Sequence, residues 1–216
     1  MTHLAAVVLA GGTGERLGGV DKGALEIGGV TLLDNVLRAT ESAVLTVVVG
    51  DKRPSAREVE WTREEPPGTG PLAALLAGVE LLDPEVTPFT GVFATDLARL
   101  REPDVQLLLE TLVATTDAEA ALFVDAEGRM QPLAAVYRTT PLITALRELS
   151  PLAGKPMRAL VRSLTVVEVP DRGASEDCDT RPAPGPAGPG SRDSTMRQLL
   201  RTRCAPPPPP APRPAS

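Results

Sequence analysis

The chain has 216 residues, 42% hydrophobic and 23% charged but only 2% aromatic, with a formal net charge of -6. Those proportions fit one globular domain with an aliphatic core, and the acidic balance argues against a nucleic-acid partner, which needs a basic face. A single histidine, His3, and two late cysteines, Cys178 and Cys204, argue against a Ser-His-Asp hydrolase, a histidine-ligated zinc site and a disulfide framework.

In chain order, the apolar run Leu4 to Leu9 reads as a buried strand that empties into Gly11-Gly12-Thr13-Gly14-Glu15-Arg16. Leu32, Leu33, Val36 and Leu37 then fall on one helical face. Residues 45–49 and 59–63 read as strands, and Leu72, Leu75, Leu76, Val79 and Leu82 as a second apolar helix face. A strand over 89–95 precedes a third face of Val105, Leu108, Leu109, Leu112 and Val113. Strands over 120–124 and 165–169 follow, with a turn at Gly128 leading into an extended segment over 130–137. Alternation of this kind predicts an α/β fold: a three-layer sandwich around a mostly parallel, Rossmann-like sheet. No apolar run reaches the roughly 20 residues of a membrane span. The start Met1-Thr2-His3 lacks a signal peptide's basic region, so the cytoplasm is the expected location.

The glycine segment carries the chemistry. Glycines allow close backbone approach to a ligand, and successive N–H groups can form a nest for phosphate oxygens. Arg16 and Lys22 add two cations within reach of the same anion. A Walker loop would need Ser or Thr after Lys22, where Gly23 stands, and a dinucleotide fingerprint would need its third glycine one residue earlier than Gly18. Asp96 ends the strand Val92-Phe93-Ala94. A carboxylate beside a polyphosphate calls for a divalent cation between them, and Mg²⁺ is the natural one. The simpler role for Asp96 is to cap the helix that begins near Glu102.

Leu9-Ala10-Gly11-Gly12-Thr13-Gly14-Glu15-Arg16-Leu17-Gly18 with Asp21-Lys22 resembles the signature of nucleotidyltransferases, and its double glycine and Asp-Lys pair resemble the molybdenum cofactor guanylyltransferase family. Pro67-Gly68-Thr69-Gly70-Pro71-Leu72, Phe93-Ala94-Thr95-Asp96 and 131–137 follow in that family's order. The resemblance implies the nucleotide-diphospho-sugar transferase type of fold and transfer of GMP from GTP to the phosphate of molybdenum-molybdopterin, releasing pyrophosphate. It implies that Leu9, Ala10, Gly11, Gly12, Lys22, Glu64 and Asp96 bind the nucleotide, that Asp96 holds Mg²⁺, and that Arg16, Lys22 and Asp96 are catalytic. Gln131, Pro132, Asp177 and Asp179 would lie on the pterin or metal side, with a molybdoenzyme or cofactor chaperone as possible protein partner. The chain departs from the family's pattern at Gly50, where relatives often have Asn, at Glu64-Glu65, where they have Asp, and at Ala98, where Asp-x-Pro would place proline. The residues alone leave open a CTP-dependent cytidylyltransferase of the same fold and a non-catalytic nucleotide- or cofactor-binding chaperone.

The chain changes character after Thr180. Residues 181–216 hold 11 of the 23 prolines and six arginines against one acid, Asp193. The expected organisation is therefore a transferase domain over 1–180 and a disordered tail over 181–216. The family's late motif matches through Asp177-Cys178-Asp179-Thr180 and stops at Arg181, as a reading-frame shift would produce.

Overall fold

A computed structural model describes residues 3–11, 26–27 and 29–175. Strand β1 (Leu4–Leu9) is buried along its whole length, which is why it reads as an unbroken apolar run rather than an alternating one. A short antiparallel pair, β2 (Glu26–Ile27) and β3 (Val30–Thr31), leads into helix α1 (Leu32–Ala39). Strands β4 (Leu45–Val49) and β5 (Glu60–Thr62), helix α2 (Pro71–Val79) and strand β6 (Phe89–Ala94) follow. Helix α3 (Glu102–Ala114) precedes strands β7 (Ala120–Val124) and β8 (Met130–Arg138). Helices α4 (Thr139–Glu148) and α5 (Met157–Arg162) and strand β9 (Val166–Pro170) complete the described part.

Seven of these strands form one sheet in the order β5-β4-β1-β6-β8-β7-β9. All neighbours pair parallel except β8, which runs antiparallel to both β6 and β7. Side chains leave a strand on alternate faces, so β1 feeds two cores. Leu4 and Val8 pack with Leu33, Val36 and Leu37 of α1 and with Val105, Leu108 and Leu112 of α3. Ala5, Val7 and Leu9 pack on the other face with Leu72, Leu75 and Val79 of α2, Leu142 and Leu146 of α4 and Leu160 of α5. The layers are therefore helix, sheet, helix, as the alternation predicts. Leu and Val make up most of both cores, around Phe89, Phe93 and Phe123 on one face and Tyr137 on the other, each fully buried side chain contributing about 1.5–3 kcal/mol.

Close packing explains one glycine in mid-helix. A Cβ on Gly78 would stand 2.6 Å from Val7 Cγ1 and 2.9 Å from Val49 Cγ2, so α2 lies on β1 and β4 with no room for a methyl group.

The structure corrects several details of the sequence reading. The strand expected over 59–63 is limited to β5, and those over 89–95 and 165–169 are β6 and β9. Val113 is 44% exposed rather than part of the α3 face. At about 100° per residue it lies roughly 40° beyond the stripe made by Leu108, Val105, Leu109 and Leu112. Leu82 is buried but follows the end of α2. The extended segment over 130–137 is a full strand wedged between β6 and β7, whose direction no sequence pattern revealed. The division at residue 180 and the tail over 181–216 lie outside the described residues.

Candidate active site

Chain order and space order diverge at β1. The chain passes from β1 through α1 to β4 and β5 on one side, then returns through α2 to β6 on the other. Helices α1 and α2 lie on opposite faces. The carboxyl ends of β1 and β6 thus flank a switch point, where open α/β sheets bind ligands.

The glycine segment begins there. Leu9 pairs with Ala94, its carbonyl accepts the Thr95 N–H at 3.3 Å, and the Ala10 N–H donates to the Val49 carbonyl at 2.8 Å. Leu9 and Ala10 are buried, whereas Gly11 is exposed. A Cβ on Gly11 would meet only the Val49 carbonyl oxygen at 3.9 Å among the described residues. Gly50 presses on the same segment from β4, with φ 149°. A Cβ there would stand only 3.0–3.2 Å from the backbone of Ala10 and Gly11, tighter than ordinary packing.

Asp96 lies two residues beyond the Leu9–Ala94 pair, partly buried at the same edge. It does not cap α3. The N-cap of that helix is Arg101, whose N–H donates to Asp104 Oδ2 at 2.9 Å. Desolvation raises the Asp104 carboxyl above the usual range, the Arg101 N–H opposes this, and the charge of Asp171 adds to the rise. The loop between Asp96 and α3 is bound tightly to its surroundings. Ala98 N–H donates to the Asp96 carbonyl at 2.9 Å. Asn35 on α1 donates from Nδ2 to the Leu97 carbonyl at 3.1 Å and accepts from Arg101 Nη1 at 3.1 Å. The same Nη1 is shared with the carbonyls of Ala98 at 3.2 Å and Leu100 at 2.8 Å.

Glu64 follows β5 and is only 9% exposed. A carboxylate so buried needs a donor, and its Oε1 accepts the Gly68 N–H at 2.9 Å. It shapes the 66–70 turn, which delivers the N-terminus of α2 with Gly70 as its cap and Pro71 in its first turn. No side chain caps that end, and unpaired N–H groups at a helix start favour anions.

Gln131 and Pro132 open β8 at the same edge, because β8 runs antiparallel to β6 with Phe93 opposite Ala134. Asp125, at the tip between β7 and β8, was not singled out by the sequence. Its Oδ1 accepts the Glu127 and Arg129 N–H groups at 3.0 and 2.9 Å, and its Oδ2 accepts Arg129 Nε at 2.8 Å and Gln131 Nε2 at 3.1 Å. The Arg129 backbone bond, ahead of the guanidinium, holds the Asp125 carboxyl below its usual range. An ionised carboxylate only accepts, so Gln131 turns its amide nitrogen toward Asp125 and its oxygen away. The only signal in the sequence was Asp125-Ala126-Glu127-Gly128, a common turn pattern.

The structure thus brings Leu9, Ala10, Gly11, Glu64, Asp96, Gln131 and Pro132 to one edge of the sheet. Gly12, Arg16, Lys22, Asp177 and Asp179 lie outside the described residues. His3 is exposed just before β1, at the opposite edge, with Nδ1 3.2 Å from the Val86 carbonyl oxygen. Tyr137 is fully buried, and its hydroxyl donates to the Pro132 carbonyl at 2.8 Å. Among the described residues no group of three or more His, Cys, Asp and Glu is placed to hold a metal ion. Among the described residues, the single carboxylate of Asp96 beside the start of the glycine segment would suit a hard cation that keeps its waters, rather than a caged metal.

Fold and edge together define a class, the three-layer α/β nucleotidyltransferases. The Archaeoglobus fulgidus molybdopterin-guanine dinucleotide biosynthesis protein A superposes with a TM-score of 0.60 at 20% identity, over 77% of this chain and 83% of that one. The Thermus thermophilus 2-C-methyl-D-erythritol 4-phosphate cytidylyltransferase gives 0.62 at 17% identity, over 91% and 96%. At these identities the likeness speaks for the fold. The family is shown by sequence: the profile of the MobA-like NTP transferase domain matches residues 6–169. The chain is 33% identical over 157 residues to a molybdenum cofactor guanylyltransferase of Methylibium petroleiphilum, covering 67% of this chain and 75% of that one. It is 30% identical over 179 residues to a protein of that name from Cupriavidus metallidurans, covering 77% and 84%. The chain belongs to the MobA-like, molybdenum cofactor guanylyltransferase family, and it is an enzyme of the nucleotidyltransferase type.

Proposed function

We propose that the enzyme transfers GMP from GTP to the phosphate of molybdenum-molybdopterin and releases pyrophosphate. The observation that supports this reading is the meeting of Leu9 to Gly11 and the Asp96 segment at the switch point between β1 and β6, in a chain whose relatives are named as guanylyltransferases. A phosphate monoester oxygen attacks the α-phosphorus of GTP, and the bond to the pyrophosphate oxygen breaks. The nucleophile is already an anion, so no general base is needed, in keeping with a lone histidine at the far edge of the sheet. Catalysis then rests on alignment and on neutralising negative charge.

The backbone of Leu9 to Gly12 holds the nucleotide, with Glu64 shaping the neighbouring turn. Arg16 and Lys22 steady the triphosphate and the departing pyrophosphate. Asp96 would hold a magnesium ion together with phosphate oxygens and water, and the bound ion would supply neutralisation of phosphate charge. Gln131, Pro132, Asp177 and Asp179 are assigned to the pterin or metal side. Residues 1–180 form the transferase domain and 181–216 an appended segment, so a chain ending at residue 180 should keep its melting temperature. No helix among the described residues is long and apolar enough to cross a membrane, and the cytoplasm is the assigned location. Calorimetric competition between GTP and CTP tests the nucleotide. Tighter GTP binding is expected, and a preference for CTP would transfer the chain to the cytidylyl reading.

A further inference from the structure

The loop over 97–100, between Asp96 and α3, is held unusually firmly for a surface connection. Leu97 and Leu100 are 3% and 0% exposed and anchor it in the core. Three of its four carbonyls, those of Leu97, Ala98 and Leu100, accept from two side chains, Asn35 and Arg101. Asn35 comes from 62 residues away and reaches across from α1. It uses both ends of its amide, donating to the Leu97 carbonyl and accepting from the guanidinium that binds the other two. The neighbouring Asp34 accepts the Ala56 N–H at 2.7 Å, so two consecutive residues of α1 bracket the loops on either side of β1.

This arrangement does what a ring at position 98 could do by covalent means. Proline there would fix its own φ and restrict Leu97. Alanine does neither, but it keeps an N–H, and that N–H closes back on the Asp96 carbonyl at 2.9 Å. With the backbone of 97–100 pinned on three carbonyls and Asp96 pinned through its own, the backbone that carries Asp96 is fixed beside the end of β1.

We propose that Asn35 and Arg101 are positioning residues for Asp96, keeping its loop in the conformation that takes a divalent cation together with the nucleotide. This rests on the assignment of Asp96 made under the proposed function. Neither residue touches the reacting atoms. Their effect is to raise the fraction of molecules in the competent loop conformation, and apparent affinity falls in proportion to that fraction.

The test measures GTP affinity by calorimetry in Mn²⁺ and again in EDTA, for the full chain and for Asn35→Ala, Arg101→Met and Asp96→Asn. The quantity read is the factor by which Mn²⁺ tightens GTP binding. Asn35→Ala removes two of these hydrogen bonds and Arg101→Met three, so each should cut that factor by at least about fivefold, the scale of a single lost bond, with affinity in EDTA unchanged within about twofold. Alanine is the better helix former, and methionine keeps the apolar stem of Arg101, so both variants should fold. An unchanged Mn²⁺ factor in both variants, with Asp96→Asn abolishing it, overturns the positioning role and leaves Asp96 as assigned. An equal loss in Mn²⁺ and EDTA also overturns it, since that is damage to the nucleotide site in general. If Asp96→Asn itself leaves the factor unchanged, the assignment of Asp96 fails.

Discussion

Replacing Gly50 by alanine should weaken the fold and the grip on nucleotide through one contact. Its φ is 149°, and a Cβ there would stand 3.0 Å from the Ala10 carbonyl carbon, 3.1 Å from its oxygen and 3.2 Å from the Gly11 nitrogen. These are backbone atoms, and the Ala10 N–H is already bonded to Val49, so no flexible side-chain end can swing aside. Gly128 is an internal reference, with φ 78° and nothing within 4 Å of the added Cβ. Gly128→Ala should cost only backbone strain, about 1 kcal/mol. Gly50→Ala adds overpacking and should cost about 2–3 kcal/mol in total. At about 2–4 °C per kcal/mol for a chain of this size, its melting temperature should drop by roughly 4–12 °C. Displacing Ala10 and Gly11 by a few tenths of an ångström should also weaken GTP binding roughly tenfold. Thermal denaturation and calorimetry on the three proteins decide the matter. A Gly50→Ala protein no less stable than Gly128→Ala, and binding GTP as the parent does, would refute the reasoning.

Asp96→Asn should lower turnover by about 10²–10³ while leaving the circular dichroism melt unchanged; near-parent kinetics would remove Asp96 from the mechanism. Tyr137→Phe leaves the Pro132 carbonyl without its buried donor and should cost about 1 kcal/mol in urea denaturation. For Asp125, the depressed carboxyl contributes its stability in full above the ordinary aspartate pKa of about 3.9, and that contribution is lost as pH falls through the lower folded value. Asp125→Asn should therefore flatten the acid limb of the stability curve, and identical acid limbs for the two proteins would count against it.

The parallel core of the fold was legible because strands buried on both faces leave unbroken apolar runs, as in β1 and β4. Helices α4 and α5 were not picked out. Thr139-Thr140-Pro141 looks like a loop, and six residues at Met157 are too few to show a period. The direction of β8 depends on which neighbours accept it, which no local pattern encodes. At the site, the placement of Asp96 and of the glycine segment's start at Gly11 could be read because strand ends at one edge gather by topology alone. Glu64 came from the resemblance. Its bond to the Gly68 N–H depends on a turn whose path the residues do not announce. The Asn35–Arg101 bond spans 66 residues and joins side chains with no motif of their own, so only packing α1 against the start of α3 brings it into view.

The measurement that bears most directly on the central claim is a turnover assay with GTP and molybdenum-molybdopterin supplied together, reading pyrophosphate and the mass of the pterin product. A guanylyltransferase releases pyrophosphate only when both substrates are present and yields the pterin joined to GMP. Binding of GTP with no pyrophosphate released in the presence of the pterin would contradict the account and leave a nucleotide-binding protein without transferase activity.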